Sequence, residues 1–386
     1  IMKCLFLTTE FLPGPGGIGT HSYSIINRLK KNNDWVFKIF LTEKLNSTDQ
    51  DFKSFKKEYH SSIYLMKSAN SIIKLIRNIF IIVFQSIIFR PNIIISSGRH
   101  ATWYGAVLKF FLKKKLVTFC HGTEFGTKQE QEIKINNLAY SYSDLLIAVS
   151  NYTLKFIKEN TKIKALNTAV IHNGGDHKLF YLQPPETIDN FKKIKNLSDK
   201  IILLTLGNIS TRKGQHVVVN ALPELVSKHQ NILYICIGSN DNQKSLIKLA
   251  KELKVSKNLL ITGKLAASEL VFWLNSANIF LMPSVHTQEG DFEGFGISVI
   301  EAALCGTPAI VTKGNSGVIE SIEENITGVS IPESDHNELA KKVDDLLSDE
   351  KKLQNLGKNA SERALNKYTC DLQYERVFYE ISKLFN

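Results

Sequence analysis

Short apolar runs alternate with longer stretches of helical spacing along the whole sequence, and this alternation limits the fold more than any single motif. In the first half the runs are Lys3–Thr8, Val36–Thr42, Asn92–Ser96, Leu116–Cys120, Asp144–Val149 and Thr168–His172. After Pro184-Pro185 and a lysine-rich connector the series starts again with Ile201–Leu206, Leu233–Ile237, Leu259–Thr262, Ile279–Met282, Ala309–Val311 and Gly328–Ile331. Gln215–Lys228 and Lys244–Leu253 read as helices between them. Strands joined by helix-length spans pair parallel, because a parallel crossover needs about a dozen residues or more. Two such series predict two doubly wound sheets with a boundary near 182–200, and 386 residues are enough for two domains. Ligands of such sheets bind beyond the carboxyl ends of the strands.

Composition narrows the class further. Hydrophobic residues make up 43% and charged residues 22% of the chain, a globular balance that excludes fibrous and disordered architectures. Cys4, Cys120, Cys236, Cys305 and Cys370 are odd in number, widely spaced and without a C-x-x-C pair. They read as small core residues of a protein in a reducing compartment. The first apolar run is short and gives way at once to Glu10 and Pro13, unlike a secretory leader. The expectation is a cytoplasmic protein, at most peripheral to the inner face of the cytoplasmic membrane.

The net charge of +11 is unevenly placed. Residues 1–180 hold 25 Lys and Arg against 12 Asp and Glu, a balance of +13, and the remainder balances at −2. Such an asymmetry points to an anionic partner for the first half, although a merely lysine-rich composition gives the same count. With no nucleic-acid motif in the chain, an anionic membrane surface or phosphorylated lipid is the better match, and no nucleic-acid partner is expected. Residues 70–89 are unusually apolar, broken by Lys74, Arg77, Asn78 and Gln85. They are too interrupted for a comfortable membrane span. The segment reads either as a helix covering a sheet or as one lying partly in a membrane interface. Lys53, Lys56, Lys57 and Lys113–Lys115 keep the second reading in play.

Three motifs carry chemistry. Glu293-Gly-Phe-Gly-Ile-Ser-Val-Ile-Glu301 sets two carboxylates eight positions apart across a glycine-rich turn that enters an apolar helix. Gly294 and Gly296 allow close backbone approach to a ligand. The helix beginning near Ile297 would direct its free N–H groups and positive dipole end the same way. Amides for phosphates and carboxylates for hydroxyls suit a nucleotide-sugar. Gly207-Asn-Ile-Ser-Thr-Arg212-Lys213-Gly214 leaves the first strand of the second series. There Arg212, as a bidentate fork, and Lys213, as a mobile point charge, can neutralise a diphosphate. Gly14-Pro-Gly16-Gly17-Ile-Gly19 holds the equivalent place after the first strand and formally matches G-x-G-x-x-G, with Glu43 near where a ribose-binding acid falls. Glu10–Pro13 separate that turn from its strand and two prolines stiffen it. Both features favour a glycine loop whose amides reach a phosphate or an acceptor hydroxyl over a dinucleotide site.

In chain order, Gly16-Gly17-Ile-Gly19, His121-Gly-Thr-Glu124, Asn173-Gly-Gly-Asp176, Arg212-Lys213-Gly214, Glu293-Gly-Phe-Gly…Glu301 and Gly306-Thr-Pro-Ala carry a resemblance. Over almost its whole length the chain resembles the family 4 (group 1) retaining glycosyltransferases of the GT-B fold. The resemblance implies an α/β architecture of two Rossmann-like doubly wound parallel-sheet domains facing a central cleft. Residues 1–185 would bind the acceptor and 200–370 the nucleotide-sugar donor, while 371–386 would form a C-terminal helix packing back on the first domain. A UDP- or GDP-sugar donor, a glycan or polyprenyl-linked acceptor, no cofactor and no metal are implied with it.

By position, the resemblance assigns Glu293 to hydroxyls of the transferred sugar, Glu301 to the ribose, and Arg212 and Lys213 to the diphosphate. Gly294, Phe295, Gly296, Ile297 and Ser298 would meet the sugar and phosphates through their amides. Gly16 and Gly17 would approach the diphosphate from the first domain, and His121 would line the sugar pocket near the reacting centre. Lys264 and Leu265 would lie beside the nucleobase. Asn208 stands where many relatives carry arginine, so either Arg212 takes over that charge or diphosphate binding is weaker. Acceptor contacts are expected in the loops 43–62, 98–104 and 122–130, including Arg99 and His100.

The implied reaction is sugar transfer with retained anomeric configuration, in bacterial surface polysaccharide or glycoconjugate synthesis. The leaving diphosphate would help deprotonate the acceptor, and domain closure would exclude water. A nucleotide-sugar epimerase of the same fold is an alternative, as is a phosphorylase, for whose lysine-bound pyridoxal phosphate there is no matching motif. A non-catalytic nucleotide-sugar-binding partner of another transferase is a third, against which the presence of both Glu293 and Glu301 argues. A dehydrogenase built on Gly14–Gly19 leaves the second-half motifs unexplained.

Overall fold

The computed structural model describes residues 1–11, 16–31, 34–43, 62–67, 72–238 and 242–385. Gly14, the lysines Lys53, Lys56 and Lys57, and residues 44–61 of the expected acceptor loop lie outside the described residues, as do residues 70 and 71. The chain forms two compact units, one of residues 1–172 with 373–386 and the other of residues 173–372.

The first unit is built on seven parallel strands: β1 (Met2–Thr8), β2 (Trp35–Glu43), β3 (Ile63–Lys67), β4 (Ile93–Ser97), β5 (Lys115–Cys120), β6 (Leu145–Ala148) and β7 (Asn167–Val170). Their order is β3-β2-β1-β4-β5-β6-β7. β1 pairs with β2 on one side, Cys4 opposite Phe37, and with β4 on the other, Cys4 opposite Ile93. The winding therefore reverses at β1, a topological switch point. The two-residue period of the strands divides the core. Cys4, Phe6, Ile39, Ile95 and Val117 face Ile25, Ile26 and Leu29 of α1 (Gly17–Lys31). Leu5, Leu7, Phe40, Ile94 and Leu116 face Ile82 and Phe89 of α2 (Ile72–Phe89) and Tyr104 and Leu108 of α3 (Arg99–Leu112). Among the described residues, α4 (Glu130–Ser141) and α5 (Asn151–Asn160) also lie between its strands.

The second unit repeats the plan with β8 (Ile201–Leu206), β9 (Ile232–Ile237), β10 (Leu259–Gly263), β11 (Ile279–Met282), β12 (Ala309–Lys313) and β13 (Gly328–Pro332). These are parallel, in the order β10-β9-β8-β11-β12-β13, and the reversal falls at β8. Its helices are α6 (Pro185–Ile194), α7 (Gln215–Lys228), α8 (Gln243–Glu252), α9 (Ala267–Ser276), α10 (Ile297–Leu304), α11 (His336–Leu347) and α12 (Glu350–Lys367). Leu203, Tyr234, Leu281 and Ile310 pack with Val218 and Leu222 of α7 and Leu339 and Val343 of α11. Two Rossmann-like sheets are thus present.

α13 (Cys370–Ser382) carries the chain back to the first unit, where Val377 and Ile381 join the core beside α1. Just before that return, two backbone segments of the second unit are stitched together. Gly175 N donates to the Tyr368 carbonyl at 2.8 Å, and Cys370 N to the Gly175 carbonyl at 3.0 Å. A Cβ at Gly174 would overlap the Thr369 carbonyl, so this approach needs glycine.

Three features differ from the sequence reading. β3, paired with β2 from Ile39–Ile63 to Glu43–Lys67, extends the first sheet beyond the six expected strands. α1 begins at Gly17, inside the turn Gly14–Gly19, with Thr20 N bonded to the Gly16 carbonyl at 3.2 Å, so part of the expected glycine loop is helix. The lysine-rich stretch read as a connector is α6, opened by Pro185 in the first turn, where its missing N–H costs nothing. Phe191 of α6 packs at 5.7 Å from Phe272 and 5.2 Å from Trp273 of α9. The change of unit consequently falls at 172–173, ahead of the 182–200 expected.

Candidate functional site

In the second unit, the turn after β8 is fixed by backbone shape. Gly207 takes φ +145°, a 3-10 turn spans Thr211–Lys213, and Gly214 takes φ +72°. A side chain at Gly214 would overlap the Pro283 carbonyl oxygen beyond β11. Val285 N donates to the Arg212 carbonyl at 2.8 Å, which ties the turn to the same segment. Gly296, with φ +86°, forms the left-handed entry to α10, and a Cβ there would lie 2.9 Å from Val318 Cγ2 and 3.2 Å from Met282 Sδ. The Glu293 carbonyl is held by Gly317 N at 2.8 Å and Ser316 Oγ at 3.1 Å.

These turns bring the expected charges together. Lys213 Nζ lies 2.9 Å from Glu293 Oε2, Arg212 Nη1 bonds the same oxygen, and Arg212 Nε lies 3.3 Å from Asp291 Oδ2. Burial pushes the Glu293 carboxyl up, but Arg212 and Lys213 together outweigh it and hold it down at about 2. The same burial lowers the Lys213 ammonium, opposed by Glu293. Glu301, buried in α10, is raised to about 8 by burial, with Asp176 adding to the rise and Lys213 opposing it. Ser298 Oγ and Asp291 Oδ1 are buried and have no hydrogen-bond partner among the described residues. Two such orphan atoms beside paired charges call for a polar ligand or ordered water. Phe295 is buried against Tyr368, ring centroids 5.6 Å apart, so it supports the turn through its side chain and can offer only its backbone. Lys264 is exposed and Leu265 half-buried just beyond β10.

The first unit holds the remaining expected residues. Gly16 (φ +124°) and Gly17 are exposed at the start of α1, one helical turn before His21. The His21 and His121 rings meet edge to face at 4.7 Å. His121 Nε2 bonds Ser97 Oγ at 2.9 Å, and burial lowers its ring to about 3, so it is neutral at pH 7. Its backbone N–H donates to both Glu124 oxygens at 3.0 Å. Burial raises the Glu124 carboxyl to about 7, against the pull of backbone donors and Arg99. Arg99, an expected acceptor contact, bonds the Glu124 carbonyl at 2.9 Å and Glu132 at 2.8 Å, bracing the 122–130 loop. His100 is exposed and packs on Trp103 at 4.9 Å.

Asp291, Ser316 and Ser97 are participants that the sequence reading passed over. Asp291 stands two residues before Glu293, and that spacing was the available signal. Folding alone brings Ser97 to His121 in the first unit and, separately, Ser316 to the Glu293 carbonyl in the second. Among the described residues no three His, Cys, Asp or Glu side chains converge as metal ligands would.

Comparison with known proteins follows the same division. Residues 15–179 match the model of Glycosyltransferase Family 4, and residues 187–363 that of Glycosyl transferases group 1. A GDP-mannose-dependent alpha-(1-6)-phosphatidylinositol monomannoside mannosyltransferase of Mycolicibacterium smegmatis is 24% identical, over 92% of this chain and 91% of that protein. An N-acetyl-alpha-D-glucosaminyl L-malate synthase of Bacillus anthracis is 26% identical, over 69% of each chain. The crystal structure of Anabaena HepE in complex with UDP and glucose aligns with a TM-score of 0.83 at 21% identity, covering 99% of this chain and 100% of that one.

Proposed function

The chain belongs to the family 4, group 1 glycosyltransferases, and from that membership and the charges of its second unit we propose transfer of a sugar from a UDP- or GDP-sugar to a glycan or lipid-linked acceptor, with retention. The observation that carries the reading is the Arg212–Lys213 pair beside Glu293 and the opening turn of α10. Two cations and a helix N-terminus suit a diphosphate. The relatives support both donor nucleotides, since one is named for GDP-mannose and the HepE structure holds UDP. Glu301 is the proposed ribose ligand, and Lys264 with Leu265 the nucleobase neighbours. The backbone from Gly294 to Ser298 would meet the sugar and phosphates.

In the proposed step the bond from the anomeric carbon to the diphosphate oxygen breaks as the acceptor oxygen bonds the same face. The acceptor proton passes to the departing diphosphate. Arg212 and Lys213 stabilise the charge that grows there, a contribution that speeds the step to the extent that it exceeds their hold on the ground state. They supply that positive charge themselves, which supports a metal-independent reaction. Glu293 is assigned to the sugar hydroxyls. His121, neutral through burial, is assigned to the sugar pocket as a hydrogen-bonding group, and Gly16 and Gly17 to the diphosphate. A reducing, cytoplasmic setting fits five cysteines that form no disulfide.

A thermal-shift panel of nucleotides and nucleotide-sugars, with and without EDTA, tests the reading. Selective stabilisation by one UDP- or GDP-sugar, insensitive to EDTA, is expected. Lys213→Ala should weaken UDP or GDP roughly 10- to 100-fold while leaving the bare nucleoside unchanged. Equal losses for both would remove Lys213 from the diphosphate.

A further inference from the structure

α2 has an apolar side too many. Its inner face is satisfied: Ile82 and Phe89 enter the sheet core, and Asn78 Nδ2 donates to the Tyr104 hydroxyl of α3 at 3.3 Å. On its outer face Ile76, Phe80, Phe84, Ile87 and Ile88 are exposed, Phe80 to 72%. Positions 76, 80, 84 and 88 recur every four residues, so they form one stripe along the helix. At the end of the neighbouring α3, Phe110 and Phe111 are exposed too, Phe111 to 61%. Exposed apolar side chains gathered on two helices that pack together mark an interaction site.

Charge identifies the partner. Arg77 on α2, Arg90 just after it and Lys113–Lys115 just after α3 are exposed, with Lys113 Nζ 4.9 Å from the Phe110 ring. Between Glu58 and Glu124 the sequence contains no acidic residue at all. A second copy of this chain would meet the face with the same sign of charge, and like charges oppose such pairing. Among the described residues no helix is long and apolar enough to cross a membrane. An amphipathic helix with cations beside its apolar stripe lies on a bilayer rather than through it.

We propose that the outer face of α2, with the Phe110–Lys115 end of α3, docks the protein on an anionic lipid bilayer. Phe80 and Phe84 enter the headgroup boundary, and Lys113–Lys115 meet the lipid phosphates. The proposal stands on this surface alone and does not require the sugar-transfer reading.

The test is flotation of the full chain with phosphatidylcholine vesicles and with vesicles containing phosphatidylglycerol, at physiological salt. Binding to the anionic vesicles alone is expected. Lys113→Ser/Lys114→Ser/Lys115→Ser should weaken it by roughly 100-fold, from about one lysine's worth of surface attraction each. Phe80→Ser/Phe84→Ser should weaken it as well, with an unchanged melting temperature as the check on folding. Equal binding to both vesicle types, or anionic binding indifferent to both variants, would overturn the proposal. So would a dimer, seen by sedimentation, that Phe80→Ser/Phe84→Ser dissolves, since the face would then belong to a second copy. Nucleotide-induced thermal shifts should persist in both variants. Lost flotation with intact shifts in the unmodified protein refutes only the docking face, and intact flotation without shifts refutes only the transferase.

Discussion

Because Arg212 and Lys213 both pair with Glu293, a diphosphate arriving at those cations competes with a carboxylate already in place. Glu293→Gln should therefore tighten UDP or GDP binding by about tenfold, the scale of one charge-assisted hydrogen bond, while transfer falls at least ~100-fold with loss of the sugar contact. Calorimetry and a transfer assay on the same preparation would show the two effects parting. A parallel loss of both would mean that Glu293 merely holds the turn. Glu301 predicts a pH effect. Its carboxyl sits at about 8 in the fold against 4.5 for the ordinary group, so the unfolded chain releases this proton first as pH rises. Its contribution to stability is complete below 4.5 and is lost as pH climbs through 8. Glu124, raised to about 7, has the same sign. Denaturant unfolding between pH 5 and 8.5 should show Glu301→Gln reducing the downward slope without abolishing it. An unaltered slope would assign the whole effect elsewhere.

The turn between β8 and α7 is the element on which the charge cluster depends. Gly214 adopts φ +72° against the Pro283 carbonyl. Gly214→Ala should cost more than about 1 kcal/mol from backbone conformation alone, before any overlap is relieved. Urea unfolding measures that cost, and an unchanged midpoint would show that the turn relaxes freely. Elements of this kind were largely legible in the sequence. Ile201–Leu206 and Gln215–Lys228 have the bounds expected, because a buried parallel strand and an amphipathic helix each write a strong local pattern. Arg212, Lys213, Glu293 and Glu301 were visible as residues. Their pairing was not, since Arg212 and Glu293 lie 81 positions apart and only tertiary packing joins them. β3 escaped notice because it is a five-residue strand at the sheet edge, set by its register with β2. α6 was hidden by its lysines, which are one side of an amphipathic helix whose Phe191 packs on α9.

At the scale of the whole molecule, the first unit is discontinuous in sequence, and its core draws Val377 and Ile381 from α13. Ending the chain at 372 removes both. At roughly 1.5–3 kcal/mol for each buried side chain, the loss should lower the melting temperature of the first unit. Limited proteolysis of that variant should cut within 1–172 sooner than in the full chain, and unchanged protection would make α13 dispensable. The order of synthesis then acquires a meaning. The seven-stranded sheet leaves the ribosome complete, yet the helix that closes one side of its core follows only after residues 173–372 have been translated. During that interval the core beside Ile25, Ile26 and Leu29 lacks Val377 and Ile381, and transiently exposed apolar surface of this kind is prone to aggregation.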